Sequence, residues 1–153
     1  VNRLRKFWSL TRREKQLFFE AGVLLLVSTL CVKVIAFRHI FSFLCNRYGY
    51  LKARACEPSS WASNVELVGL AISRAANRLP WRGLCLSQSI AAFIMLRRRG
   101  IPATLLAGVK VLENSSLGAH AWVKTGDEAS ERNLGNSDFT VVVKIGQEPV
   151  SSI

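Results

Sequence analysis

The chain is poor in acids. Asp and Glu number 10 against 21 Lys and Arg, leaving a formal charge of +11 over 153 residues. Such a surplus points to acidic partners: nucleic acid, an anionic membrane surface or an acidic peptide. No RNA-binding signature, zinc finger or bZIP pattern is present to select nucleic acid, and none is expected as a partner. The four cysteines, Cys31, Cys45, Cys56 and Cys85, form no C-x-x-C pair and no zinc spacing. They read as reduced thiols of a cytosolic protein, and no metal or cofactor is expected. The basic start VNRLRKFWSLTRREK lacks the small-residue cleavage site of a signal peptide. Between Glu20 and Lys33 the chain is uncharged, but this gap is short of the roughly 20 apolar residues that a span needs. There are no internal repeats and no low-complexity segments.

What is present fits one domain with its own core. Half of the residues are hydrophobic, which argues against disorder. Thr11-Arg-Arg-Glu14 is a capping box and should open a helix running through Leu17–Val32, as far as Phe37. His39 follows among aromatics and reads as a surface or packing residue. Residues 49–60 break the pattern with Gly49, Pro58 and two serines, so 1–60 reads as a helical N-terminal part and 61–153 as a core. A second capping box, Ser63-Asn-Val-Glu66, predicts a helix from Asn64 to about Arg78, with Val65, Val68, Ile72 and Ala76 on one face.

The most informative stretch is Leu79–Gly100, LPWRGLCLSQSIAAFIMLRRRG. Gly83 or Leu84 should open a helix with Cys85 in its first turn. Leu86, Ile90, Phe93, Ile94 and Arg97 share a helical stripe. Arg97, Arg98 and Arg99 occupy the last turn, where the macrodipole favours cations; Gly100 suits a left-handed cap and Pro102 a stop. A helix N-terminus favours a thiolate, the nucleophilic form of cysteine, and Arg82 adds to that field. Taken alone, Cys85 reads more readily as a small core residue.

Beyond Gly100 the period changes from 3.6 to 2. Thr104–Leu112, Ala119–Thr125 and Phe139–Ile145 read as strands of an antiparallel meander, separated by polar turns. The second strand carries His120. A helix N-terminus packed on such a sheet can bring Cys85 and His120 together, which is what thiol–imidazole catalysis requires. The competing reading makes His120 a strand histidine with a structural partner.

Cys85-Leu86-Ser87-Gln88-Ser89, then LRRRGIPATLLAGV, then Ala119-His120-Ala121-Trp122-Val123 resemble the leader peptidases of lasso-peptide biosynthesis, a transglutaminase-like family. The resemblance covers roughly 77–145, with the N-terminal helices more loosely alike. It implies an α+β, papain-like cysteine peptidase that removes the leader from a ribosomally made precursor peptide, with Cys85 and His120 catalytic. It further implies two partners: a small leader-recognition protein and an asparagine-synthetase-like macrolactam cyclase. A catalytically decayed peptide-binding module of the same pathway and a Cys–His acyl transferase or amidase are the alternatives.

The family also places an aspartate on the strand after the histidine. Here that region is SERNLGNSDF, with Leu134 and Gly135 near the position, Asn133 and Asn136 beside it and Asp138 just beyond. Asp138 is the nearest carboxylate and the candidate orienting residue; it reads equally as a turn residue before the strand. Gln88 stands where relatives often carry a basic residue.

The N-terminal helix is too apolar to stand uncovered. Its cover is the peptidase part, a partner or a bilayer surface. Lys33 inside the run argues against a free span. The sequence favours protein contact along Leu17–Phe37 with the basic end in solvent, in a cytoplasmic protein that is also able to associate with a membrane.

Overall fold

A computed structural model of the chain describes residues 11–48, 58–79, 85–112, 115–125 and 139–146. Four helices precede three strands among them: α1 (Arg12–Val34), α2 (Phe37–Tyr48), α3 (Pro58–Ala76), α4 (Cys85–Arg98), β1 (Ala103–Val111), β2 (Leu117–Thr125) and β3 (Thr140–Ile145). The α+β class follows the sequence pattern directly.

The first capping box forms as expected. Thr11 accepts from the Glu14 amide at 3.3 Å, and Glu14 accepts from the Thr11 amide at 2.9 Å. The helix it opens ends at Val34 rather than Phe37, and a separate helix, α2, begins there. His39 is exposed on α2. Ser63-Asn-Val-Glu66 does not start a helix: α3 begins earlier, at Pro58, whose fixed φ suits a first helical turn. At 23 residues, α1 is long and apolar enough to cross a membrane by length and composition, contrary to the expectation from its charge-free gap alone.

Helix α4 is the centre of the molecule. It packs against α1, α3, β1 and β2. Ile90, Ala91, Phe93, Met95 and Leu96 are buried along it, joined in one core by Leu17, Ala21 and Leu25 of α1, Val68 and Ile72 of α3, and Leu105 of β1. Its end is a Schellman motif. Ile101 N–H donates to the Leu96 carbonyl at 3.1 Å and Gly100 N–H to the Arg97 carbonyl at 3.0 Å, with Gly100 at φ +74°.

The three arginines do more than complement a dipole. Buried Arg97 donates through Nε and Nη2 to the Tyr48 carbonyl at 3.2 and 2.6 Å, placing a cation on the C-terminus of α2. Arg98 and Arg99 both pair with Glu20 of α1, at 3.4 and 2.5 Å. The end of α4 thus ties two other helices to itself.

The sheet is antiparallel in the order β2-β1-β3, so the expected meander is not formed. Strands β2 and β3 both run against β1 and are parallel to each other. The end of β2 at Thr125 and the start of β3 at Thr140 lie toward opposite ends of β1, opposite Ala103 and Val109, a placement that a tight hairpin cannot give.

The Glu14 carboxyl is held below the ordinary carboxylate range. The Thr11 amide and hydroxyl donate to it first of all, and Arg74 lies 3.6 Å away. A carboxyl with a lowered folded pKa contributes stability above its unfolded pKa and loses it as pH falls through the folded value. Thr11→Ala removes the N-cap hydroxyl that accepts from the Glu14 amide, a loss of about 1 kcal/mol at neutral pH. In urea denaturation the gap between variant and wild type should narrow as pH falls through the lowered pKa of Glu14; a gap that widens on acidification contradicts this account of the cap.

Candidate active site

Cys85 is the first residue of α4 and is half-buried. It therefore sits at the end of the helix where backbone N–H groups lack intrahelical acceptors. One turn along the same face, Ser89 is buried and its hydroxyl donates to the Ala121 carbonyl of β2 at 2.8 Å. The two Cα atoms lie about 6 Å apart along the helix axis, at 1.5 Å per residue. This bond fixes the cysteine turn of α4 against the strand that carries His120.

His120 pairs in register with Gly108 of β1. Side chains alternate along a strand, so Ala121, which is buried, points to one side of the sheet, and His120 and Trp122 share the other. There the imidazole lies nearly parallel to the Trp122 ring, 5.9 Å between centroids at 16°, and 5.5 Å from Phe139. The Lys110 ammonium sits 4.9 Å over the Phe139 ring. Gly108 makes this cluster possible. A Cβ there would fall 2.9 Å from the Thr140 carbonyl oxygen, 3.0 Å from Trp122 Cη2 and 3.1 Å from Phe139 Cβ. With no side chain on the central strand, groups from both flanking strands meet over it.

Of the expected site residues, the structure joins the helix of Cys85 to the strand of His120. It directs the imidazole to the aromatic face, and among the described residues no hydrogen bond links the thiol to the imidazole. Asp138, Asn133, Asn136, Leu134, Gly135 and Arg82 lie outside the described residues. Phe139, next in the chain to Asp138, has its ring against His120. Gln88 is half-buried in α4. The described residues hold no group of three His, Cys, Asp or Glu able to bind a metal ion. Sequence reasoning missed Ser89, Gly108 and Phe139. The signals were a serine four residues after the cysteine, and a glycine inside a strand pattern, which marks a close approach.

A helix-borne cysteine ahead of an antiparallel sheet with a histidine on its edge strand defines a class of fold. The family model of the transglutaminase-like superfamily matches residues 28–144, from within α1 to within β3 and across both Cys85 and His120. The chain belongs to that superfamily, which includes cysteine peptidases and acyltransferases and commonly uses a Cys-His-Asp site. No curated protein and no solved structure matches it.

Gly108→Ala tests the aromatic cluster. The added methyl must push β3 or the Trp122 ring aside, at a cost of about 1 to 3 kcal/mol. The chain has two histidines, so a His39→Ala background leaves His120 as the sole imidazole in a proton NMR spectrum. Its ring resonances should shift toward unstacked values in Gly108→Ala. Unchanged resonances and stability would show that the glycine is not what lets the rings meet.

Proposed function

We propose that this protein is a cysteine peptidase that removes the leader from a ribosomally made lasso precursor, with Cys85 as nucleophile and His120 as general base and acid. One observation carries the reading: Cys85 begins a buried helix that Ser89 holds on the histidine strand. Superfamily membership supports a thiol enzyme. The segments RRRGIPA and HAWV, and their order after the cysteine, supply the lasso assignment, which rests on sequence resemblance alone.

In this mechanism the thiolate attacks the carbonyl at the leader–core junction. The imidazolium then gives its proton to the departing amine of the core peptide, and water releases the leader from the thioester. The freed amine is the group that a macrolactam cyclase needs. A small recognition protein would present the leader, and the surplus of basic residues would favour an acidic one. The thiol–imidazole contact would form on substrate binding, since catalytic hydrogen bonds are often long in free enzymes and tighten in the complex. Asp138 is the proposed orienting carboxylate, in a cytoplasmic enzyme with no cofactor.

A non-catalytic peptide-binding module is the rival, and the packing of His120 with Trp122 and Phe139 favours it, because that face offers rings to a ligand. An acyl transferase or amidase on the same pair differs only in whether water or an amine resolves the thioester.

Purified protein, mixed with a lasso precursor and its recognition partner, should cut at the leader–core junction. Cys85→Ala and His120→Ala should each reduce the rate by at least about a thousandfold while keeping the fold, judged by circular dichroism. Cleavage that persists in Cys85→Ala would overturn the nucleophile assignment. Capture of the precursor without cleavage by wild type would establish the binding module, and a product mass increased by an added amine would establish transfer.

A further inference from the structure

Helix α1 has two apolar faces. Leu17, Ala21, Leu25 and Ser28 form one stripe, buried against α3 and α4. At 100° per residue, Phe19, Val23, Leu26, Val27, Leu30 and Val34 form a second stripe on the opposite side. These six are 38 to 80% exposed, and the stripe runs about 22 Å along the helix. An apolar strip of this extent is rarely left to water.

Charge identifies what covers it. Both carboxylates of α1 are turned into the protein: Glu14 pairs with Arg74, and Glu20 with Arg98 and Arg99. The outward side keeps its cations. Arg12 is exposed at the start of the helix and Lys33 near its end, and Arg38 is exposed in the first turn of α2 just beyond, while Arg13 donates to Asn64 of α3 at 2.5 Å. The stripe is thus apolar along its length and positive at both ends, in a chain of net charge +11.

We propose that α1 lies along an anionic bilayer surface, with Val23, Leu26, Val27 and Leu30 in the acyl boundary and the flanking cations on lipid phosphates. It does not span. Passage through the bilayer would strip Leu17, Ala21 and Leu25 from the core and break the Glu20 pairs. The inference is independent of the peptidase reading: it concerns where the domain sits, and its test involves no catalysis.

The test is co-sedimentation of the full chain with vesicles of phosphatidylcholine, alone or with phosphatidylglycerol. Wild type should bind the anionic vesicles and lose most of that binding between about 0.1 and about 0.5 M salt. Val23→Glu with Leu30→Glu should abolish binding with an unchanged thermal melt, because both positions are exposed. Lys33→Glu with Arg38→Glu leaves the stripe intact and should weaken binding about tenfold or more. Absence of wild-type binding, equal binding to both vesicle types, or binding untouched by the stripe variant would overturn the proposal. So would a membrane pellet that resists alkaline carbonate, which marks a span, or a stripe variant that only breaks up an oligomer, which marks a protein interface.

Discussion

The bond from Ser89 to the Ala121 carbonyl sets how the cysteine helix meets the histidine strand. Apolar packing along α4 is strong but non-directional, and Ile90, Phe93 and Met95 would tolerate small slides along the helix axis. A buried hydroxyl that donates to a strand carbonyl does not. Losing the bond leaves that carbonyl desolvated without its donor, at a cost of about 1 to 3 kcal/mol. Because the serine is one turn from Cys85 and the carbonyl is one residue from His120, the register of this contact is also the register of the candidate site.

The far end of α4 secures the rest. Arg97 holds the last carbonyl of α2, and Arg98 and Arg99 hold Glu20 of α1. Three consecutive side chains on a helix fan out over most of its circumference, so a run of arginines can reach two neighbours at once. The buried member, Arg97, makes two charge-assisted bonds, which offset the cost of removing a guanidinium from water. The Glu20 pairs turn one acid of α1 inward, as Arg74 does Glu14, and leave its outer face positive.

Much of this was legible from local signals. Thr11 and Glu14 announced the start of α1, Gly100 and Pro102 the end of α4, and alternation from Ala119 to Lys124 the face on which His120 lies. Long-range pairing was not legible. Nothing in residues 126–139 says whether the next strand joins β2 or β1, and the meander was the simpler choice. Ser63–Glu66 has the residues of a capping box, yet Pro58 starts the helix earlier, since a local motif cannot forbid extension by a favourable preceding turn. The partner of Arg97 could not be read either, because it is a backbone carbonyl and every residue offers one. At the site, the sequence put Cys85 on a helix start and His120 on a strand. It did not reveal that the imidazole stacks on Trp122 and packs against Phe139 over a glycine.

The central claim is that Cys85 and His120 work as one site. A short bifunctional alkylator with two leaving groups flanking a carbonyl measures this directly. The thiolate takes one end, and only a second nucleophile within a few bonds can displace the other. Peptide mass spectrometry should find the Cys85 peptide bridged to the His120 peptide, and no bridge in His120→Ala. A Cys85 adduct that bridges elsewhere, or hydrolyses without bridging, would contradict a shared site.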